Sequence, residues 1–339
     1  MFQISFLAAV LLISLATPAQ TTPVPTPLQT LRQEIDRGQG IQALAQLDVL
    51  AATKPVPEGV ERLRGIALYT LGRFDEASAA LKTALVRMPK DTEATQMLGL
   101  TLYRLGRPAE AIPLLEAASA WTETTTADPS YVLALCYLDA QRYDDVRHAF
   151  ATQYGFKPDS AQAYLLAARL LLRRDRVPIA QEFARKAIAL DAGLPLAHAL
   201  LGEVALAGNH LDEAIAEFET ERVRNPLDGS VYDRLGDAYT RKGELLPAQQ
   251  ALERALLLEP TATGPYILLG KVLLKKGDAV NAQTYLERAV KMDPANYMSH
   301  NLLGQAYRAL GRSDDATRET RLSQSIQAAN EPKLNTPRN

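Results

Sequence analysis

The chain has 339 residues, of which 47% are hydrophobic and 6% aromatic, and its formal net charge at pH 7 is −2. A nearly neutral chain has no overall field that attracts phosphate backbones or anionic lipid, which argues against nucleic-acid binding. The single cysteine, Cys136, excludes an intramolecular disulfide framework and a cysteine-based zinc cluster.

The N-terminal segment differs from the rest of the chain. Residues 2–16 form an apolar run that is interrupted only by three polar residues, and small residues follow at Thr17 and Ala19. This pattern predicts a signal peptide over residues 1–19 and export to a periplasm or cell envelope, or secretion. Because no Lys or Arg precedes the run, an uncleaved membrane anchor or an untargeted N-terminus stays open as an alternative.

Two short segments precede the main array. Residues 20–30 are rich in Pro and Thr and predict an extended linker. Residues 31–57 keep Gly38, Ala43 and Pro55 in step with the repeat that follows, so they predict a degenerate first repeat.

A repeat of 34 residues occupies most of the chain. Small residues recur at this interval in the C-terminal half, and a one-residue slip near Thr126 extends the row towards the N-terminus. A second row of mostly alanine lies twelve positions after the first. The two rows are Gly65, Gly99, Ala134, Ala168, Gly202, Gly236, Gly270 and Gly304, then Ala77, Ala111, Val146, Ala180, Ala214, Ala248, Ala282 and Ala316. Two such rows predict an array of structural repeats.

The unit 263–296 shows how one repeat is built. Pro265 suits the first turn of a helix, and apolar residues recur at helical spacing until Gly277, which ends that helix. A second helix follows, and Pro294 closes the unit. The small residue of each helix allows the two backbones to approach closely, so each unit is predicted to be a pair of helices.

These residues resemble the tetratricopeptide repeat family at its 34-residue length. In this unit the matching residues are Leu269, Gly270, Leu273, Gly277, Ala282, Leu286, Ala289 and Pro294. The resemblance implies an all-α fold, a right-handed α-solenoid of antiparallel helix pairs, with about eight repeats after the degenerate unit. The repeats are 58–91, 92–125, 127–160, 161–194, 195–228, 229–262, 263–296 and 297–330. The Thr-rich stretch 121–128 predicts a distorted junction, and residues 331–339 a disordered tail.

Paired acids begin four of the second helices. Their recurrence at one position of the repeat predicts helix caps near the positive end of the helix dipole rather than acid–base catalysis. The pairs are Asp75–Glu76, Asp144–Asp145, Asp212–Glu213 and Asp314–Asp315.

Residues suited to catalysis or metal binding are few. His198 and His300 occupy the repeat position of Tyr232 and Tyr266, so they are predicted to pack as rings. Cys136 replaces a small residue between helices and is predicted to be buried rather than nucleophilic. The sequence has no His-x-x-x-His spacing, nucleophile elbow or phosphate loop. It therefore predicts no enzyme, no cofactor and no metal.

The family resemblance also implies a concave groove lined by the first helix of each repeat. The predicted groove residues are Arg62, Tyr69, Leu100, Tyr103, Tyr131, Arg169, Arg173, Asp233, Asp237, Lys271, Asn301 and Arg308. The N-terminal part is apolar and aromatic, which suits an amphipathic helix or an extended peptide, and the C-terminal part has mixed charge. Asp233 and Asp237 stand where a chaperone-binding clamp for a terminal carboxylate would need a cation or an amide, which argues against that clamp.

One cluster of positive charge has two interpretations. Arg169, Arg173, Arg174 and Arg176 could bind an acidic peptide or a phosphate, or they could form a solvated helix end.

Taken together, the sequence predicts a non-catalytic scaffold that binds a protein or peptide in its groove, with no nucleic-acid partner and no membrane span in the mature chain. The alternatives are an architectural subunit of an envelope assembly held by its flanks, or a small-molecule-binding accessory factor to an enzyme.

Overall fold

The computed structural model describes residues 26–120 and 129–330. The predicted signal peptide, residues 20–25 of the predicted linker, the predicted junction at 121–128 and the predicted tail at 331–339 lie outside these residues. The described residues contain 18 helices and no strand, which confirms the predicted all-α fold.

The helices form nine consecutive pairs. Within each pair, a turn of two or three residues joins the helices, which therefore run antiparallel. In chain order they are α1 (Pro27–Asp36), α2 (Gly40–Ala51), α3 (Val60–Thr70), α4 (Phe74–Arg87), α5 (Thr92–Arg104), α6 (Pro108–Ser119), α7 (Ser130–Asp139), α8 (Tyr143–Tyr154), α9 (Ala161–Arg173), α10 (Val177–Leu190), α11 (Ala197–Ala207), α12 (Leu211–Arg224), α13 (Gly229–Lys242), α14 (Leu245–Leu258), α15 (Thr263–Lys275), α16 (Ala279–Met292), α17 (Tyr297–Ala309) and α18 (Ser313–Asn330). Odd-numbered helices are first helices, and even-numbered helices are second helices.

The two rows of small residues explain how each pair packs. A Cβ on Gly202 would lie 2.7 Å from the ring of Phe218 on the second helix of the same pair. The glycines at 65, 99, 236, 270 and 304 likewise face the residue sixteen positions further along the chain. The second row is buried throughout, with Ala77, Ala111, Val146, Ala180, Ala214, Ala248 and Ala282 at 0% exposure and Ala316 at 2%. Close packing at these two rows leaves no space for larger side chains.

The chain divides into two compact units with a boundary at residues 125 and 126. We call α1–α6 unit 1 and α7–α18 unit 2. In both units the first helices of successive pairs contact each other, as α1, α3 and α5 do in unit 1 and α9, α11, α13, α15 and α17 do in unit 2. We call the side of each unit that these helices form the first-helix face.

The predicted linker ends earlier than the sequence indicated. Pro27 is the first residue of α1, and Thr26 accepts a hydrogen bond from the backbone N–H of Gln29, whose side chain accepts one from the backbone N–H of Thr26. This capping box fixes the start of the helix, and a proline is well tolerated in the first turn. Residues 27–30 are therefore helical rather than extended.

The acids that begin the second helices lie in the first helical turn, as predicted. The caps of α4, α8 and α12 lack a side-chain hydrogen bond. In α4 the Glu76 carboxylate instead accepts hydrogen bonds from the Arg73 guanidinium, which lowers the pKa of Glu76. The same pairing joins Arg107 to Glu110, Arg142 to Asp145 and Arg312 to Asp315. The acids retain a favourable position near the helix dipole, but arginine pairing is their main contact.

Candidate protein-binding site

The first-helix face of unit 1 carries a network of paired charges. Arg62 on α3 approaches Asp91 at 3.0 Å and Glu93 at 3.2 Å. Asp91 is buried and also caps α5 by accepting a hydrogen bond from the backbone N–H of Ala94. Arg32 on α1 pairs with Glu93 from the other side. Arg62 is thus committed to contacts between helices, although the sequence predicted it as a groove residue.

The other predicted groove residues of unit 1 are largely packed. Leu100 is 9% exposed and belongs to the core, so it presents little surface to a partner. Tyr69 is half-buried and meets Phe74 edge to face, with ring centroids 5.6 Å apart. Tyr103 is also half-buried.

Unit 2 brings three predicted residues together at its N-terminal end. The Arg173 guanidinium on α9 donates a hydrogen bond of 3.4 Å to the hydroxyl of Tyr131 on α7. Arg169 lies one turn before Arg173 on the same helix, and all three side chains are exposed. No hydrogen bond or ion pair joins Arg169 to any residue that the structure describes. This positive charge is therefore available to a partner.

Asp233 on α13 is the most perturbed acid of the first-helix face. Burial raises the pKa of its carboxyl to about 6, and the nearby Asp237 and Glu259 add to the effect against the influence of Arg234. One carboxyl oxygen is buried with no hydrogen-bond partner among the described residues. Gly264, in the first turn of α15, lies beside this carboxyl. A Cβ at position 264 would lie 3.5 Å from its Oδ2, an ordinary van der Waals contact.

The remaining predicted residues of unit 2 vary in their contacts. Asp237 pairs with Arg241 along the same helix at 2.7 Å. Asn301 is exposed and accepts a hydrogen bond of 2.6 Å from the Gln305 side chain. Lys271 is half-buried and Arg308 is exposed. These residues lie on successive first helices and give this part of the face its mixed charge.

The two histidines pack as the sequence predicted. His300 is 2% exposed, and its Nε2 donates to the backbone carbonyl of Pro294 at 3.0 Å. The hydroxyls of Tyr232 and Tyr266 make the matching contact to the prolines six residues before them, at 3.1 and 3.2 Å. The His300 Nδ1 also lies 2.7 Å from the Glu319 carboxylate. Its position is therefore explained by packing and hydrogen bonding.

Cys136 is buried, as the sequence predicted. The cysteine is completely buried, and burial raises the pKa of its thiol to about 12, so the nucleophilic thiolate does not form at neutral pH. Within residues 26–120 and 129–330, no group of three or more His, Cys, Asp or Glu side chains is placed to hold a metal ion.

Sequence reasoning missed two exposed aromatic residues that are connected to Tyr131 through Phe150. Tyr154 ends α8 and Phe156 follows two residues later, after Gly155 turns the chain with φ of 68°. They were missed because this turn falls outside the two repeating rows. The spacing of Phe150 and Tyr154, one helical turn apart, was the available signal.

Comparison with known proteins agrees with the helix pairs. One family model described as tetratricopeptide repeat matches residues 62–130 and 267–319, and a second matches residues 229–261. The chain therefore contains tetratricopeptide repeats over these ranges.

Two curated relatives share part of this array. The tetratricopeptide repeat domain-containing protein PYG7 of the Arabidopsis thaliana chloroplast is 35% identical over 95 residues, which cover 27% of this chain and 32% of that protein. Superkiller protein 3 of Schizosaccharomyces pombe is 26% identical over 161 residues, which cover 43% of this chain and 11% of that protein. The match therefore spans at most about a third of either relative.

Among solved structures, this chain is similar to YrrB, which is described as a TPR protein with an unusual peptide-binding site. The identity is 21% and the TM-score 0.45, and the match covers 55% of this chain and 95% of YrrB.

Within the part of the chain that the structure describes, none of the helices has both the length and the apolar character that crossing a membrane requires.

Proposed function

We propose that the protein is a non-catalytic scaffold of a bacterial cell envelope that binds a partner protein or peptide through the first-helix face of unit 2. One observation carries this proposal: Arg169 and Arg173 expose positive charge there that no ion pair among the described residues neutralises. By contrast, Arg73, Arg107, Arg142 and Arg312, which precede second helices, each pair with an acid three residues later. Unneutralised charge on a rigid helical face suits recognition of another molecule.

The envelope location rests on the N-terminal pattern. An apolar run of this length followed by small residues is typical of a signal peptide. N-terminal sequencing of the native protein tests it, because cleavage leaves a new terminus at Thr17 or Gln20. A native chain that begins at Met1 would contradict export by cleavage.

A pull-down from source envelope extract tests binding through the first-helix face. The first bait is the wild-type chain, and the second carries Tyr131→Ala, Arg169→Ala and Arg173→Ala, all at exposed positions that leave the core intact. A partner captured by the wild type and lost from the variant supports the proposal. Capture of the same proteins by both baits would contradict it.

An architectural subunit held by its second helices is the second candidate. Val223 and Leu257 lie at one repeat position on α12 and α14 and are 74% and 71% exposed. Leu246 and Val280 form a similar pair, at 61% and 65%. Exposed apolar residues that recur along an array suit lateral packing. A third bait with Val223→Ser and Leu257→Ser therefore serves as the matched control, and loss of partners from this bait alone would favour the architectural function.

A further inference from the structure

A continuous aromatic and basic strip crosses the N-terminal end of unit 2. The ring of Phe156 stacks on Tyr154 with centroids 6.1 Å apart, Tyr154 on Phe150 at 6.4 Å, and Phe150 meets Tyr131 at 6.4 Å. The Tyr131 hydroxyl then accepts the hydrogen bond from Arg173, and Arg169 lies one turn further along α9. We call Phe156, Tyr154, Phe150, Tyr131, Arg173 and Arg169 the aromatic–arginine strip.

Three aromatic side chains of the strip are exposed to solvent. Tyr154 is 54% exposed, Tyr131 39% and Phe156 38%, while Phe150 beneath them is buried. Exposed aromatic rings in mutual contact form an apolar surface that a partner can cover. Scattered single residues would carry no such meaning.

The charge beside this surface is positive. The acid nearest to Phe156 along the chain, Asp159, is already paired at 2.6 Å with Arg147, whose guanidinium lies over the ring of Tyr164. No ion pair to an acid is present at Arg169 or Arg173 within residues 129–330. The arginine end of the strip therefore complements a negatively charged ligand.

We propose that the aromatic–arginine strip binds an acidic peptide segment that carries an apolar side chain next to its acidic residues. This inference rests on the proposed scaffold function and specifies the chemistry of its partner. The apolar side chain packs against Tyr131 and Tyr154, and the carboxylates accept hydrogen bonds from Arg169 and Arg173. A planar guanidinium can donate two parallel hydrogen bonds to one carboxylate, which gives both affinity and orientation.

A peptide fits the strip better than a nucleic acid does. Binding to a phosphate backbone depends on neutralising many phosphates, and aromatic stacking of bases accompanies a long positively charged groove. The strip offers two unpaired guanidinium groups at one end, on a chain of formal charge −2. Two cations suit a short acidic motif.

Selection from a random peptide library on the full-length chain tests the proposal. Reversal of the strip's charge by Arg169→Glu and Arg173→Glu is compared with Arg288→Glu and Lys291→Glu on the second helix α16, where both residues are exposed. The control makes the same change in net charge away from the strip. We expect enriched peptides to combine acidic and apolar residues, and their affinity to fall about tenfold or more with the strip variant only.

The outcomes separate this inference from the function on which it rests. Two results would overturn the acidic motif and leave a peptide-binding scaffold intact. One is enrichment of basic or uncharged peptides, and the other is enrichment of acidic peptides whose affinity does not change with the strip variant. Absence of any enriched peptide would overturn the motif, and the pull-down then decides whether the first-helix face binds a folded protein. Binding of labelled oligothymidylate that is lost with the strip variant would assign the strip to single-stranded nucleic acid instead.

Discussion

The first-helix faces of the two units carry the same classes of charged residue, but these residues make different contacts in the two units. In unit 1, Arg32 and Arg62 are both paired with acids on α5, and Asp91 is buried beneath them. In unit 2, Arg169 and Arg173 make no ion pair with an acid that the structure describes, and Asp233 keeps a buried oxygen without a hydrogen bond among the described residues. The arginines of unit 1 thus connect its helices, whereas Arg169 and Arg173 of unit 2 are open to a partner.

This difference shows that a repeat position does not by itself define a binding residue. Arg62 and Arg169 were both predicted to line the groove by resemblance to the family. What separates them is the neighbouring helix: Asp91 and Glu93 at the start of α5 pair with Arg62, whereas Glu203 on α11 approaches Arg234 at 3.4 Å rather than Arg169. Whether a charged side chain connects helices or is available to a binding partner depends on the side chains that it contacts.

The largest expected effect comes from breaking the network of unit 1. Asp91→Ala removes the cap of α5 and leaves Arg62 facing one acid instead of two, so we expect the free energy of unfolding to fall by about 2–3 kcal/mol. Chemical denaturation monitored by circular dichroism measures the change. A loss below about 0.5 kcal/mol would mean that the network does not stabilise the unit.

A smaller change in the free energy of unfolding, of opposite sign, is expected for Asp233→Asn. Its pKa in the folded chain is raised from 3.8 to about 6, so the folded state holds a proton that the unfolded state releases, and stability falls as the pH rises through this window. Asp233→Asn removes the titrating group and with it this loss. We therefore expect the change in the free energy of unfolding that the substitution causes to be more favourable at neutral pH than below pH 4, by about 1–3 kcal/mol.

Urea denaturation at several pH values measures this difference. Asp314→Asn is the control, because Asp314 is exposed and is not among the charges that shift the pKa of Asp233. A difference between wild type and Asp233→Asn that stays constant with pH would show that the carboxyl titrates normally.

The smallest effect on stability is expected at the arginines of unit 2. Arg173→Leu removes one long hydrogen bond at an exposed position, so the free energy of unfolding should change by less than about 0.5 kcal/mol. Thermal unfolding of this variant beside Asp91→Ala compares the two faces directly. A destabilisation by Arg173→Leu as large as that of Asp91→Ala would erase the distinction between them.

The sequence predicted the helix pairs well, because their packing depends on small residues at fixed spacing. Gly236 must lack a side chain to accept Leu252, and this steric need appears in the sequence as a periodic row. The N-terminal cap of α11 could not be predicted from such a row. There the buried Glu221 of α12 accepts hydrogen bonds from the backbone N–H groups of Leu196 and Ala199. A contact between helices has no fixed spacing along the chain.

The candidate site was predicted in part. Tyr131, Arg169 and Arg173 were named as separate groove positions, but their junction depends on how α7 and α9 pack. Leu100 was named as a groove residue and is buried, because burial depends on the neighbouring helices as well as on the position in the repeat. Residue type and period indicate a face, while the distances between helices decide which side chains it presents.

Site-specific photocrosslinking in the source organism tests the central claim most directly. A photoreactive phenylalanine analogue replaces Tyr131 on the first-helix face of unit 2, Tyr69 in unit 1, or Leu257 on a second helix, one position at a time. We predict an adduct with a partner protein from Tyr131 and none from Tyr69 or Leu257. Adducts that form only at Tyr69 or Leu257 would contradict the assignment of partner binding to the first-helix face of unit 2.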